Sequence, residues 1–120
     1  MEDYLARAND ELLLIAQIEH ADAVPKIAEI AAVPGIDALF IGPNDLAGSV
    51  GKLERLGEPD VLALCETVER ETLASGVVFG SILRPGRSYG DLVKVGARLI
   101  AGPSDVALFV DGARGWLAGF

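Results

Sequence analysis

The chain has 120 residues, 51% of them hydrophobic and 23% charged, a length and balance that suit one folded domain and not a disordered or fibrous chain. A formal net charge of -8 argues against nucleic acid or an anionic membrane surface as partner, since both attract basic patches, and no apolar run approaches the roughly 20 residues of a membrane span. The acidic start MEDYLARANDE lacks the regions of a secretory signal. Its single cysteine, Cys65, makes no internal disulfide and belongs to no zinc-like cluster, so the expected compartment is a reducing cytoplasm.

In chain order, residues 3 to 10 read as the end of a helix, with Leu5 and Ala8 on one face and Asn9-Asp10 breaking it. Leu12 to Ile18 is a continuous apolar run of strand length, as expected where both faces are buried. Asp22 is a cap for a helix from Ala23 to about Ala32, with Val24, Ile27, Ile30 and Ala31 on one face. Pro34-Gly35 stops it, and Ile36 to Ile41 is a second buried strand. A Gly-rich loop is expected from Gly42 to Gly57, then a helix starting near Pro59 that carries Leu62, Cys65, Val68, Glu69 and Leu73 and ends at Gly76. Val77 to Leu83 is a third strand, punctuated by Pro85-Gly86. A short helix near Ser88 to Val95 ends at Gly96, Arg98 to Ala101 is a fourth strand, and Ser104 or Asp105 caps a last helix through about Leu117.

Four strand-helix units with short connections predict a parallel α/β fold. Four units are half of an eight-stranded TIM (β/α)8 barrel, whose chemistry sits at the carboxyl ends of its strands; an independent doubly wound domain is the alternative. The candidate chemistry lies where the first two apolar runs end. IAQIE (Ile15 to Glu19) and LFIGPNDL (Leu39 to Leu46) each deliver a carboxylate, Glu19 or Asp45. Singly, Glu19 reads as solvated or ion-paired and Asp45 as part of a capping turn. Together, on neighbouring strands about 5 Å apart, they form a site for a hard divalent cation that favours oxygen ligands.

The stretch from Tyr4 to Gly51, with its QIE element, its VPGID-LFIGP run and its DL-S-G tail, resembles the second half of the HpcH/HpaI aldolase family. These are class II, metal-dependent pyruvate aldolases, related to 2-dehydro-3-deoxyglucarate and 4-hydroxy-2-oxoheptanedioate aldolases. The resemblance continues more weakly through GVVFGSIL and GARLIAGPSDVALF. It implies that Glu19 and Asp45 are the metal ligands, for Mg2+, Mn2+ or Co2+. It also implies that Gln17 contacts a bound 2-oxo acid such as pyruvate, and that backbone amides around Asn44 and Asp45 hold the substrate carboxylate. Asn44 stands where many members carry a small residue, which bears on the width of the pocket.

The resemblance further implies reversible aldol cleavage that releases pyruvate through a metal-stabilised enolate, with an aldehyde as the other partner. The family's catalytic histidine, its acidic partner and an enolate-steadying arginine come from the first half of the barrel. No catalytic residue is therefore expected in this chain, which covers residues 1–120 as the C-terminal half-barrel. A citrate-lyase-like or malyl-CoA-lyase-like C–C lyase is a second reading, and a non-catalytic module that pairs with another half is a third. Uncovered strand edges and inner face predict a homo-oligomer or a complement of the missing N-terminal half.

The remaining residues have plainer readings. His20 faces away from Glu19 on an extended strand, and Cys65 lies on an apolar helix face. Arg84 and Arg87 are expected in a solvated loop, with binding of an anionic acceptor as the alternative. Ile82 and Leu83 stand where the family lines a methyl pocket, a position that core packing also explains. Asp105 reads as a cap, and Trp116 and Phe120 as packing or subunit-contact residues.

Overall fold

In the computed structural model, which describes residues 3–120, the strands β1 (Ile15–Ile18), β2 (Ala38–Ile41), β3 (Val78–Ile82) and β4 (Leu99–Ala101) form one sheet. All neighbours are parallel and their spatial order is the chain order. The helices are α1 (Tyr4–Arg7), α2 (Ile27–Ala31, entered through a 3-10 segment Ala21–Lys26), α3 (Pro43–Ser49), α4 (Pro59–Ser75), α5 (Tyr89–Val95) and α6 (Asp105–Leu117). A doubly wound sheet reverses its strand order at a switch point. Here the order never reverses, so right-handed crossovers send the connecting helices to one face.

Residue alternation shows which face is covered. Ile18, Leu39, Ile41 and Phe79 point into a core completed by Ile27, Val61, Cys65, Val68 and Leu92 from the helices. On the opposite face Ile15 and Gln17 are exposed and Phe40 is half-buried. Gln17, Phe40, Gly80 and Leu99 stand in register across this open face. A Cβ on Gly80 would lie 2.5 Å from Phe40 Cδ2 and 3.1 Å from Leu99 Cβ, so the Phe40 ring occupies the space that the glycine leaves.

The exposed surface is 8061 Å², about 1,900 Å² more than the roughly 6,200 Å² of a compact monomer of 12.6 kDa. The radius of gyration is 17.1 Å, against about 14 Å for a compact domain of this length. A parallel sheet covered on one face only, with this surplus surface, is the geometry of a half-barrel. No residue of α6 is buried, and its Trp116 ring packs against Phe120 in a tilted contact with centroids 4.4 Å apart, both side chains exposed. Among the described residues no helix is long and apolar enough to cross a membrane.

Several elements differ from the sequence expectation. β1 starts at Ile15 and not at Leu12, because Asp37 closes the ladder: its Oδ2 accepts from Leu14 N at 2.8 Å while its own N–H donates to Leu14 O. Leu12, Leu13 and Leu14 consequently stay exposed. His20, and not Asp22, caps the next segment, its Nδ1 accepting from Asp22 N. The expected loop after β2 opens with helix α3. Pro43 presets its first turn and Leu46 and Ala47 are fully buried, which outweighs the glycines around them. Ser104, and not Asp105, caps α6. Ser88 and Asp91 cap α5 reciprocally.

Arg84 and Arg87 are neither solvated nor free to bind an anion. Arg84 Nη2 donates to Glu69 Oε2 at 2.7 Å and Nη1 to Ser81 Oγ at 3.1 Å. Arg87 forks onto the same carboxylate, Nε to Oε2 at 3.0 Å and Nη2 to Oε1 at 2.9 Å. Glu69 lies on the buried side of α4, and the Arg84 side chain is only 2% exposed. The two arginines close a tight hairpin through mutual backbone bonds, with Gly86 at φ 76° making the turn. Leaving such a carboxylate without its partners costs about 3–5 kcal/mol, so the residues stay together. Burial pushes the Cys65 thiol up, against the nearby Arg84 charge.

Gly80→Ala is expected to cost about 1–3 kcal/mol, the usual penalty for overpacking, because Phe40 must be displaced. Urea unfolding checks this, and equal midpoints for the two proteins would contradict the packing of the open face. A second expectation concerns pH. Burial favours the neutral form of Glu69, but the hydrogen bonds from Arg87 and Arg84 outweigh it and hold the carboxyl below its ordinary value of 4.5. A depressed folded value contributes stability above the unfolded value, which is lost as pH falls through the folded one. Stability should therefore drop below about pH 4.5, and Glu69→Gln should flatten that part of the profile. An identical acid limb in both proteins would show that Glu69 is not the group responsible.

Candidate functional site

Glu19 follows β1 by one residue, and its placement depends on a missing side chain. β1 and β2 pair Gln17 with Phe40 and Ile18 with Ile41, and Gly42 N donates to Ile18 O at 3.2 Å. Glu19 thus comes level with Gly42. A Cβ on Gly42 would lie 3.0 Å from Gln17 Nε2, from Glu19 Cβ and from Glu19 Oε2. Glycine allows both polar side chains to lie against the backbone that opens α3. There Gln17 Nε2 donates to Glu19 Oε2 at 2.8 Å, which orients the carboxylate.

Asp45 stands in the first turn of α3, two residues after Pro43, and is exposed. The amides of Asn44 and Asp45 are first-turn N–H groups, which have no partner within a helix. The Asn44 side chain is used elsewhere: its Oδ1 accepts from Glu54 N at 3.0 Å, steadying Glu54 at φ 62°. The Asn44 Oδ1 is thus engaged, and its backbone N–H remains available to a ligand. Ser49, at the end of the same helix, donates to Leu46 O at 2.7 Å and accepts from Ala21 N at 3.0 Å. That hydroxyl ties α3 to the turn that leaves Glu19, and so fixes the two carboxylate-bearing segments relative to each other.

The site therefore joins Gln17, Glu19, Gly42 and the opening of α3 at the carboxyl ends of β1 and β2. The next two strand ends border an open cleft of about 500 Å³ lined by Ile82, Leu83, Gly102, Pro103 and Ser104. His20 serves as a cap and Cys65 as core. Sequence reading placed Gly42 in a loop, Ser49 in the DL-S-G tail and Glu69 on a helix, and gave none of them its structural partner. Gly42 had a signal, a glycine between a buried strand and a helix-starting proline. The Ala21 partner of Ser49 and the arginine partners of Glu69 lie 28 and 15 or more residues away, beyond any local pattern.

Two exposed carboxylates with an oriented amide match the all-oxygen preference of magnesium or manganese, which keep several waters and need few protein ligands. Among the described residues no group of three or more His, Cys, Asp or Glu side chains stands together as a metal site. The donor set fits a hard cation held by two protein ligands and completed by water or a chelating substrate, and it does not fit a closed structural zinc site.

Comparison with known proteins agrees with this architecture. The family model described as HpcH/HpaI aldolase/citrate lyase matches residues 1–112. The chain is 40% identical to a hydroxypyruvate/pyruvate aldolase of Cupriavidus necator, covering 98% of this chain and 44% of that one. It is 35% identical to a 2-keto-3-deoxy-L-rhamnonate aldolase of Escherichia coli, covering 100% and 45%. A crystal structure of an HpcH/HpaI aldolase/citrate lyase family protein from Burkholderia cenocepacia superimposes with a TM-score of 0.83 at 35% identity, covering 98% and 46%. The chain spans less than half the length of these relatives, as a half-barrel would. With the family model matched over nearly all of its residues, the chain belongs to the HpcH/HpaI aldolase/citrate lyase family.

Proposed function

We propose that residues 1–120 form the metal- and carboxylate-binding half of a (β/α)8 lyase that makes and breaks a carbon–carbon bond of 2-oxo acids, with pyruvate and an aldehyde as the cleavage products. The observation that carries this reading is the Gln17–Glu19 pair lodged against Gly42, beside the helix turn that bears Asp45. Glu19 and Asp45 would hold one magnesium, manganese or cobalt ion. When bound, that ion supplies a Lewis acid for the carbonyl and carboxylate oxygens of the substrate.

The chain's own residues do the positioning. Gln17 orients Glu19 and, on the same strand face, borders the place of the 2-oxo acid. The first-turn amides of Asn44 and Asp45 are donors for its carboxylate, favoured by the positive end of the helix. The carboxylates of Glu19 and Asp45 repel an anionic substrate, and the proposed cation would offset that charge while the directed first-turn N–H groups add a short-range attraction. The surplus surface of the open sheet face supports completion by a further half-barrel, and the exposed Phe109, Trp116 and Phe120 of the C-terminal region support association between copies.

Manganese titration followed by water-proton relaxation tests the site. Wild type is expected to bind one ion more tightly with pyruvate present, and Glu19→Gln or Asp45→Asn to weaken binding about 10–100-fold or more, the scale set by the groups that support a metal. Equal affinity in all three proteins would remove these residues as ligands. The 120-residue chain alone is expected to release no appreciable pyruvate from an aldol substrate, since loss of a positioned acid–base group typically costs about 10²–10⁴-fold. Adding the first four β/α units of a related aldolase in trans should restore turnover. Cleavage by the chain alone at the rate of an intact relative would contradict the division of labour.

A further inference from the structure

We propose that Asn44 is a positioning residue for the metal site: by holding the backbone of Glu54 it braces the first turn of α3, and Asp45 with it, against the segment that follows the helix. This rests on the metal-site reading above and extends it to a segment outside that site.

Among the described residues Glu54 alone combines a side chain with a positive φ, at 62°. Such a backbone is costly and persists only where its surroundings hold it. Here Glu54 N donates to Asn44 Oδ1 at 3.0 Å. The segment reaches that bond by turning back along α3. Gly51 at φ 75° makes the turn, and Lys52 N donates to Ala47 O at 2.8 Å. Leu53 then lies against Gly48, where a Cβ would meet its Cδ1 at 3.2 Å. The segment thus runs from the last turn of the helix to its first. Its far side is fastened elsewhere: Leu56 packs against the core, and Lys52 Nζ donates to both carboxylate oxygens of Asp60, at 2.7 and 2.6 Å, in the first turn of α4.

α3 has 7 residues, too few for a helix to stand on its own hydrogen bonds, so its direction is set by its ties. Leu46 and Ala47 anchor its buried side, and Ser49 anchors its end through Ala21 N. Asp45 is on the exposed side, and the side-chain tie nearest to it is that of its neighbour Asn44. The strain at Glu54 and the net worth of one hydrogen bond are of the same order, so the folded-back segment depends on that bond. Groups that orient a metal ligand are worth about 10–100-fold in affinity.

The test uses the 120-residue chain and reads manganese affinity by water-proton relaxation and hydrogen exchange at the Glu54 amide. Asn44→Ala is expected to weaken manganese binding about tenfold and to speed that exchange about tenfold or more. Glu54→Pro removes the donor and the left-handed backbone without touching α3. It should weaken binding to the same degree, and it decides the matter if Asn44→Ala does not fold. Adding Glu54→Gly to Asn44→Ala frees the left-handed conformation of strain and should return the affinity toward wild type. Glu54→Ala, which keeps the N–H, should bind as wild type does. Unchanged affinity in Asn44→Ala or Glu54→Pro, unchanged exchange in Asn44→Ala, or a loss that Glu54→Gly does not restore would each overturn the brace while manganese binding by wild type stands. Weaker binding by Glu54→Ala would overturn it as well, by making the Glu54 carboxylate itself the contributor. A wild type that binds no manganese would instead overturn the metal-site reading, and the role of Asn44 with it.

Discussion

Everything in this molecule depends on a sheet whose four parallel strands are laid down in chain order. Right-handed crossovers then leave the helices on one side and bring every strand's carboxyl end to one edge. The core forms where Ile18, Leu39, Ile41 and Phe79 meet the helices. The other face receives Gln17, Phe40 and Leu99 in register and is left open by the described residues. The same arrangement that makes the core one-sided puts Glu19, the opening of α3, the Leu83 cleft and the Arg84–Arg87 hairpin on a common rim.

The charges divide into two populations. Glu69 is buried and satisfied by two guanidinium groups, which hold the Arg84–Arg87 hairpin to α4. Glu19 and Asp45 are exposed, and among the described residues the side chain bonded to Glu19 is the neutral amide of Gln17. Neither carboxylate has a cationic partner among those residues, and the proposed cation and 2-oxo acid would use this acidic pair together with the first-turn amides of α3. Distances around Gly42 show how little slack this arrangement has, since a single methyl group there would meet three atoms of Gln17 and Glu19 at 3.0 Å.

Strand order, the parallel class and the placement of Glu19 just past a strand were legible because buried parallel strands write themselves as apolar runs such as LLLIAQI and ALFIGP, whereas Asp45 stands in the helix turn that follows its strand. Helix α4 was legible from Pro59 and Gly76, which the structure uses as first turn and left-handed cap. The start of β1 was not, because Asp37, 23 residues from Leu14, decides where the ladder begins. Helix α3 was hidden by Gly42, Gly48 and Gly51, which read as loop although Leu46 and Ala47 are buried. Arg84 and Arg87 looked solvated because Pro85-Gly86 marks a turn, and nothing local announces that the turn folds back onto Glu69.

The most direct test of the site is anomalous diffraction at the manganese edge from crystals grown with Mn2+ and pyruvate. One peak about 2.1–2.2 Å from carboxylate oxygens of both Glu19 and Asp45, with the substrate carboxylate facing the amides of Asn44 and Asp45, is the expected result. A peak elsewhere on the acidic surface, or one that touches only one of the two carboxylates, would contradict it.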